Sequence, residues 1–121
     1  MKITIVDYGM GNINSIIGAL KYLKVETINV SNKPSDISSA DKLILPGVGS
    51  FQMAMETINK LNILDLLKFE ILEKNKPVLG ICLGMQLLGM SSEENGFTKG
   101  FELIDGIVER FTNIDSKVPH I

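Results

Sequence analysis

Apolar and polar positions along this chain follow two periods in turn. Residues 2–7, Lys-Ile-Thr-Ile-Val-Asp, are apolar and β-branched and predict a first strand, punctuated by Gly9 and Gly11. Asn12 is placed to cap a helix whose apolar face is Ile13, Ile16, Ile17, Leu20 and Leu23, at spacings of three and four. Residues 25–30 predict a second strand. Lys42-Leu43-Ile44-Leu45 predicts a third, ending at Pro46-Gly47-Val48-Gly49. The helical period returns over residues 51–60 and 63–74, where Ile63, Leu67 and Ile71 share a face. Residues 77–81 predict a fourth strand, and 83–90 a helix directly behind it. Beyond that the pattern thins into turn residues and two weak strands, near 101–104 and 106–111.

Alternation of this kind predicts an α/β domain: an open, mostly parallel sheet with helices on both faces. In such sheets ligands bind beyond the carboxyl ends of the strands. Three loops of unusual composition fall at those ends, Tyr8–Asn12, Pro46–Ser50 and Gly80–Gly84, and would project from one rim.

Composition narrows the function classes. The chain has 121 residues, enough for one domain, and 45% of them are hydrophobic, enough for a core. Its formal charge of −2 gives no electrostatic reason to expect nucleic acid or an anionic membrane as partner. No apolar run approaches the roughly 20 residues of a membrane span, and residues 1–15 do not read as a signal peptide. A single cysteine forms no internal disulfide, which fits a reducing cytoplasm. One cysteine and one histidine far apart make no zinc constellation, and no cofactor is expected.

The chemistry concentrates at Gly80-Ile81-Cys82-Leu83-Gly84. A nucleophile on a glycine-flanked turn between strand and helix has the geometry of a nucleophile elbow. The glycines allow close backbone approach, and the positive end of the following helix favours thiolate over thiol. Taken alone, the pentapeptide is more often that of an inert buried thiol. Gly9-Met10-Gly11 invites a dinucleotide reading, but that fingerprint needs glycine where this chain has Asn14, and an acidic residue where the second strand ends in Asn29-Val30-Ser31-Asn32. Pro46-Gly47-Val48-Gly49-Ser50-Phe51 is either a plain turn or a loop whose freed backbone presents N–H groups as an oxyanion hole, with the Leu83 N–H as second donor. Glu93 and Glu94 are surface charges by default; alternatively they offer a carboxylate to the ammonium of an amino-acid substrate. His120, the only histidine, is the one available base for Cys82, but it sits one residue from the chain end.

Taken together, Asp7-Tyr8-Gly9-Met10-Gly11-Asn12, the Pro46–Phe51 loop, Gly80-Ile81-Cys82-Leu83-Gly84-Met85-Gln86-Leu87-Leu88, Ser92-Glu93-Glu94 and Lys117-Val118-Pro119-His120-Ile121 match one group in this order. From Met1 to Ile121 the chain closely resembles the glutaminase subunits of imidazole glycerol phosphate synthase, which are triad-type glutamine amidotransferases with a flavodoxin-like sheet. The resemblance implies that Cys82 attacks the side-chain amide of glutamine, forming a glutamyl thioester and releasing ammonia. It implies that Val48 and Leu83 are oxyanion donors, with Gly47 and Gly49 giving the loop its freedom. It places Gln86 and Glu94 against the glutamine substrate, and Asn12 at the interface with a (β/α)8-barrel cyclase. Ammonia would pass through that barrel to a phosphoribosyl-formimino substrate, yielding imidazole glycerol phosphate.

The same resemblance puts the base and its orienting acid in a His-Pro-Glu segment that this sequence does not contain, and assigns His120 to another motif. Residues 1–121 are therefore expected to be the N-terminal part of a single amidotransferase domain, truncated at the C-terminus. By itself that part is expected to be inert and to self-associate through apolar surface that further strands would cover. Three other readings stay open on the residues. A homologous subunit could supply ammonia for surface-sugar amidation. A cysteine-elbow stress or redox protein of the deglycase-like family would keep the fold. A non-catalytic module could bind a partner through the Asn12 rim.

Overall fold

The computed structural model describes residues 1–93 and 96–109. Four parallel strands form the central sheet: β1 (Lys2–Val6), β2 (Thr27–Ser31), β3 (Lys42–Leu45) and β4 (Val78–Gly80), in the order β2-β1-β3-β4. Between and after them run α1 (Ile13–Tyr22), α2 (Pro34–Ser39), α3 (Phe51–Lys60), α4 (Leu64–Leu72) and α5 (Leu83–Leu87). Three two-residue strands, β5 (Ser91–Ser92), β6 (Thr98–Lys99) and β7 (Ile107–Val108), make a small second sheet in the order β6-β5-β7.

Period-two alternation divides the core. Ile3 and Ile5 of β1 and Ile44 of β3 pack with Leu20 of α1, against which Ile13, Ile16 and Ile17 are partly buried. Val6, Leu43 and Leu45 face the other way, toward Ile37 of α2, Phe51 and Ile58 of α3, Leu67 of α4 and Leu83 of α5. Burying each such side chain contributes about 1.5–3 kcal/mol, so slipping β3 by one residue would put three of them on the wrong face. Register is fixed accordingly: Ile5 lies opposite Val30 on one side and Ile44 on the other, and Leu45 lies opposite Gly80.

Strand order makes the site. β1 leads through α1 to β2 on one flank, and β2 returns through α2 to β3 on the other flank of β1. The loops after β1 and β3 therefore diverge from neighbouring strands, which opens a crevice at their carboxyl ends.

The predicted parallel α/β sheet is found, with differences at the element ends. Leu23 is 70% exposed, because α1 ends at Tyr22 and Leu23 only caps it. β2 starts at Thr27, since Val25 N–H is spent on the Leu20 carbonyl at the end of α1 (3.0 Å). α2 carried no periodic signal: it is six residues long, begins with proline and buries only Ile37. α5 stops at Leu87 rather than at position 90. Residues 101–104 form no strand. The N–H of Phe101 donates to the Leu87 carbonyl (2.8 Å) and that of Leu103 to the Leu88 carbonyl (3.0 Å), so this segment folds back on the end of α5 and buries Phe101 completely. Ile107–Val108 falls within the last predicted strand, whose positions 110 and 111 lie outside the described residues.

Candidate active site

The turn from β4 into α5 exchanges one face of the sheet for the other. Ile81 packs with the cluster on the α1 side, and Leu83 is 3% exposed in the cluster on the opposite side. Cys82, between them, is left at the rim with its thiol exposed. Its backbone has φ 52° and ψ −116°. That pair lies outside the left-handed helical well, where positive φ is tolerated, and costs a non-glycine residue on the order of 1–3 kcal/mol. Backbone strain of this kind is what a nucleophile elbow requires.

Neighbouring backbone explains why glycines flank it. A Cβ on Gly80 would lie 2.7 Å from Met85 Cα, and one on Gly84 would overlap the Leu45 carbonyl, 2.6 Å from its carbon. The elbow is thus pressed against the end of β3. Hydrogen bonds pin it there: Ile81 N–H donates to the Leu45 carbonyl (3.0 Å), and Leu83 N–H to the Gly47 carbonyl (3.1 Å).

The loop after β3 has two halves. Pro46 and Gly47 are buried, whereas Val48 is 58% exposed and Gly49, at φ +111°, is exposed as well. Ser50 ends the loop by capping α3, its hydroxyl accepting the Met53 N–H (3.3 Å). Gly11, at φ +117°, brings the loop after β1 into contact, since a Cβ there would lie 3.1 Å from both Gly47 N and Pro46 Cβ. Asn12 caps α1, its side-chain oxygen accepting the Ser15 N–H (3.3 Å), and remains exposed on the rim.

The crevice therefore brings together Cys82, Leu83, Gly47 and the backbone of Gly11, with Val48 and Gly49 at its mouth. Gln86 lies one turn along α5, where its N–H donates to the Cys82 carbonyl (3.2 Å). Its half-buried side chain lines a groove of about 350 Å³ shared with Met85, Ile104, Ile107 and Val108. Glu94 and His120 lie outside the described residues. Among the described residues no three His, Cys, Asp or Glu side chains are placed to hold a metal ion, and no helix is long and apolar enough to cross a membrane.

Sequence reasoning missed Tyr8. It is 2% exposed, and its hydroxyl donates to the Pro46 carbonyl, tying the first loop to the second. Burial raises its pKa well above the ordinary tyrosine value. The available signal was a large aromatic wedged between a strand and two glycines; nothing in the pattern named its partner.

Comparison with known proteins identifies the family. The family described as glutamine amidotransferase class-I matches residues 4–117. The chain is 52% identical over its whole length to imidazole glycerol phosphate synthase subunit HisH 2 of Vibrio vulnificus, covering 57% of that protein. It is 48% identical to the HisH subunit of Halalkalibacterium halodurans, with 97% of this chain and 56% of the relative aligned. It is also 48% identical to the chloroplastic imidazole glycerol phosphate synthase hisHF of Arabidopsis thaliana, over 98% of this chain and 20% of that protein. The chain thus spans little more than half the length of these bacterial relatives. A family match from residue 4 to residue 117, nearly the whole chain, places it in the class-I glutamine amidotransferase family.

Proposed function

We propose that residues 1–121 are the N-terminal part of a glutamine amidotransferase domain that supplies ammonia for imidazole glycerol phosphate synthesis, with Cys82 as the nucleophile. The observation that carries this reading is the strained Cys82 backbone, which holds the thiol clear of the core at the carboxyl end of the sheet. The thiolate adds to the glutamine side-chain carbonyl. Collapse of the tetrahedral adduct releases ammonia and leaves a glutamyl thioester, which water hydrolyses to glutamate. The names of the relatives support histidine biosynthesis as the setting.

The oxyanion formed on the way needs N–H donors, and Val48 and Leu83 are proposed to supply them. Leu83 N–H is engaged by the Gly47 carbonyl. Rotating the Gly47–Val48 peptide would turn that carbonyl away and bring the Val48 N–H toward the vacated position, because the two groups of a trans peptide point in opposite directions. Gly47 and the exposed Gly49 permit this rotation. Gln86 and Glu94 are proposed to hold the α-substituents of glutamine, and Asn12 to contact a (β/α)8-barrel cyclase.

No histidine occurs in residues 1–109, so a histidine base for Cys82 would have to come from outside them. The decisive experiment measures ammonia released from glutamine by the 121-residue chain, with and without a barrel cyclase. A second arm supplies the C-terminal residues of a HisH relative as a separate chain. Turnover appearing only with those residues, and lost in Cys82→Ala, is the expected result. Turnover that survives Cys82→Ala refutes the reading.

A further inference from the structure

We propose that Tyr8 is a positioning residue for the oxyanion loop: its buried hydroxyl holds the Pro46 carbonyl, so that loop movement begins only at the Gly47–Val48 peptide. This rests on the glutaminase reading of Cys82 and Val48. Three observations carry it. First, Tyr8 stands two residues past β1, is 2% exposed, and reaches across 38 positions of sequence to the carbonyl of Pro46, which lies in no strand or helix. Removing that donor takes a hydrogen bond from the carbonyl of a buried residue.

Second, the same hydroxyl shapes Gly47. A Cβ built on Gly47 would collide with the Tyr8 oxygen and lie 2.9 Å from Leu83 Cβ. The phenol thus fills the volume that makes position 47 a glycine, and position 47 is where the loop must pivot. Third, restraint ends abruptly after this point. Pro46 and Gly47 are buried, whereas Val48 is 58% exposed and Gly49 has positive φ.

With the Pro46–Gly47 peptide clamped, the Gly47 carbonyl leaves Leu83 N–H only by rotation about Gly47 ψ and Val48 φ. Such a rotation exchanges an acceptor for a donor at one place. An unclamped loop would instead drift as a unit, and no N–H would be aimed. Tyr8 acts through Pro46 and Gly47. Because burial raises the phenol's pKa, it stays a donor throughout the range in which a thiolate forms.

The test is residue-resolved amide hydrogen exchange on the 121-residue chain and its Tyr8→Phe variant, which keeps the ring and removes the hydroxyl. Leu83 N–H is expected to exchange about tenfold faster in Tyr8→Phe, with Ile5 and Ile44 within about twofold of wild type. Acceleration shared equally by Ile5 and Ile44, an unchanged Leu83, or failure of Tyr8→Phe to fold each overturns the proposal. A chain carrying 3-fluorotyrosine, which retains the hydroxyl, is expected to keep Leu83 protected; loss of protection there assigns the effect to packing and overturns it as well. The exchange readout does not depend on glutamine chemistry. In a parallel arm, a glutamine-shaped chloroketone competes with iodoacetamide for Cys82. Absence of glutamine-protectable labelling in the wild-type chain counts against the glutaminase reading, while the exchange data alone decide the anchor.

Discussion

Gly84 packs its Cα against the backbone of Leu45 so closely that a Cβ would lie 2.6 Å from the Leu45 carbonyl carbon. This contact sets the distance between the elbow and the end of β3, and backbone cannot yield as a side-chain tip would. Gly84→Ala is therefore expected to destabilise the fold by about 3 kcal/mol or more, the upper range for overpacking. Gly18 is the matched control. It lies in α1 with open space around the Cβ position, so Gly18→Ala is expected to stabilise by about 0.5–1 kcal/mol. Urea unfolding of both variants against wild type gives the two signs.

Relief of backbone strain at Cys82 should appear as stability gained. Glycine adopts φ 52°, ψ −116° without the penalty cysteine bears, so Cys82→Gly is expected to be more stable than Cys82→Ala by about 1 kcal/mol. Cys82→Ala keeps the Cβ and the strain. Thermal melts of the two variants side by side isolate the backbone contribution, because both have lost the thiol.

Much of this arrangement was legible in the sequence, and the limits are physical. β3 and α3 were readable to the residue because an apolar run or period met a hard stop, Pro46 in one case and the Ser50 cap in the other. The turn at Cys82 was legible because glycines at positions 80 and 84, two residues to either side, report a local backbone demand. α2 was not, since a six-residue helix with one buried residue has no period to detect. Nor was the bond from Tyr8 to Pro46 or that from Leu83 to Gly47. Both join segments far apart in sequence, and their partners are carbonyls, which every residue possesses.

Lys76 is buried without being part of the site. Its ammonium lies 3.2 Å from Glu70 Oε2 and donates to the Ile37 and Ser38 carbonyls, both at 2.8 Å, fastening α4 to the carboxyl end of α2. Lys76→Met would leave the Glu70 carboxylate, 5% exposed, without its cation. Removing one partner of a buried pair costs about 3–5 kcal/mol, whereas removing both is often close to neutral. A denaturation cycle with Glu70→Leu is expected to show the double variant more stable than Lys76→Met alone. Two single losses that simply add would contradict this account.

Tyr8 also gives the fold an alkaline limit. Its folded pKa is raised above the unfolded value of roughly 10, so the stabilisation from burying the neutral phenol is complete below that pH. Above it the unfolded chain loses a proton that the folded chain keeps, and stability falls by up to about 1.4 kcal/mol per pH unit until the folded phenol also ionises. Tyr8→Phe has no such proton. The stability difference between wild type and Tyr8→Phe is expected to be constant below about pH 9 and to shrink steadily above pH 10. Urea titrations of both chains at several pH values supply the measurement. A difference that stays flat through pH 11 would mean that the phenol ionises equally readily in both states.

Among the described residues β4 pairs only with β3, leaving its other edge open. Leu79, in the middle of this edge strand, is 57% exposed, and a groove of about 200 Å³ beside it is lined by Ile3, Leu20, Ile44 and Val78. An apolar strand edge of this kind templates pairing with another chain. The 121-residue chain is expected to associate with increasing concentration, and Leu79→Lys to shift it toward monomer, since a charge on an edge strand blocks that pairing. The substitution replaces an exposed side chain, so its effect on unfolding stability should stay within about 0.5 kcal/mol. Sedimentation of both chains over about a hundredfold range of concentration, which spans roughly 2.8 kcal/mol of association free energy, decides the matter. Wild-type chain that stays monomeric throughout would show that the open edge of β4 is not sticky in water.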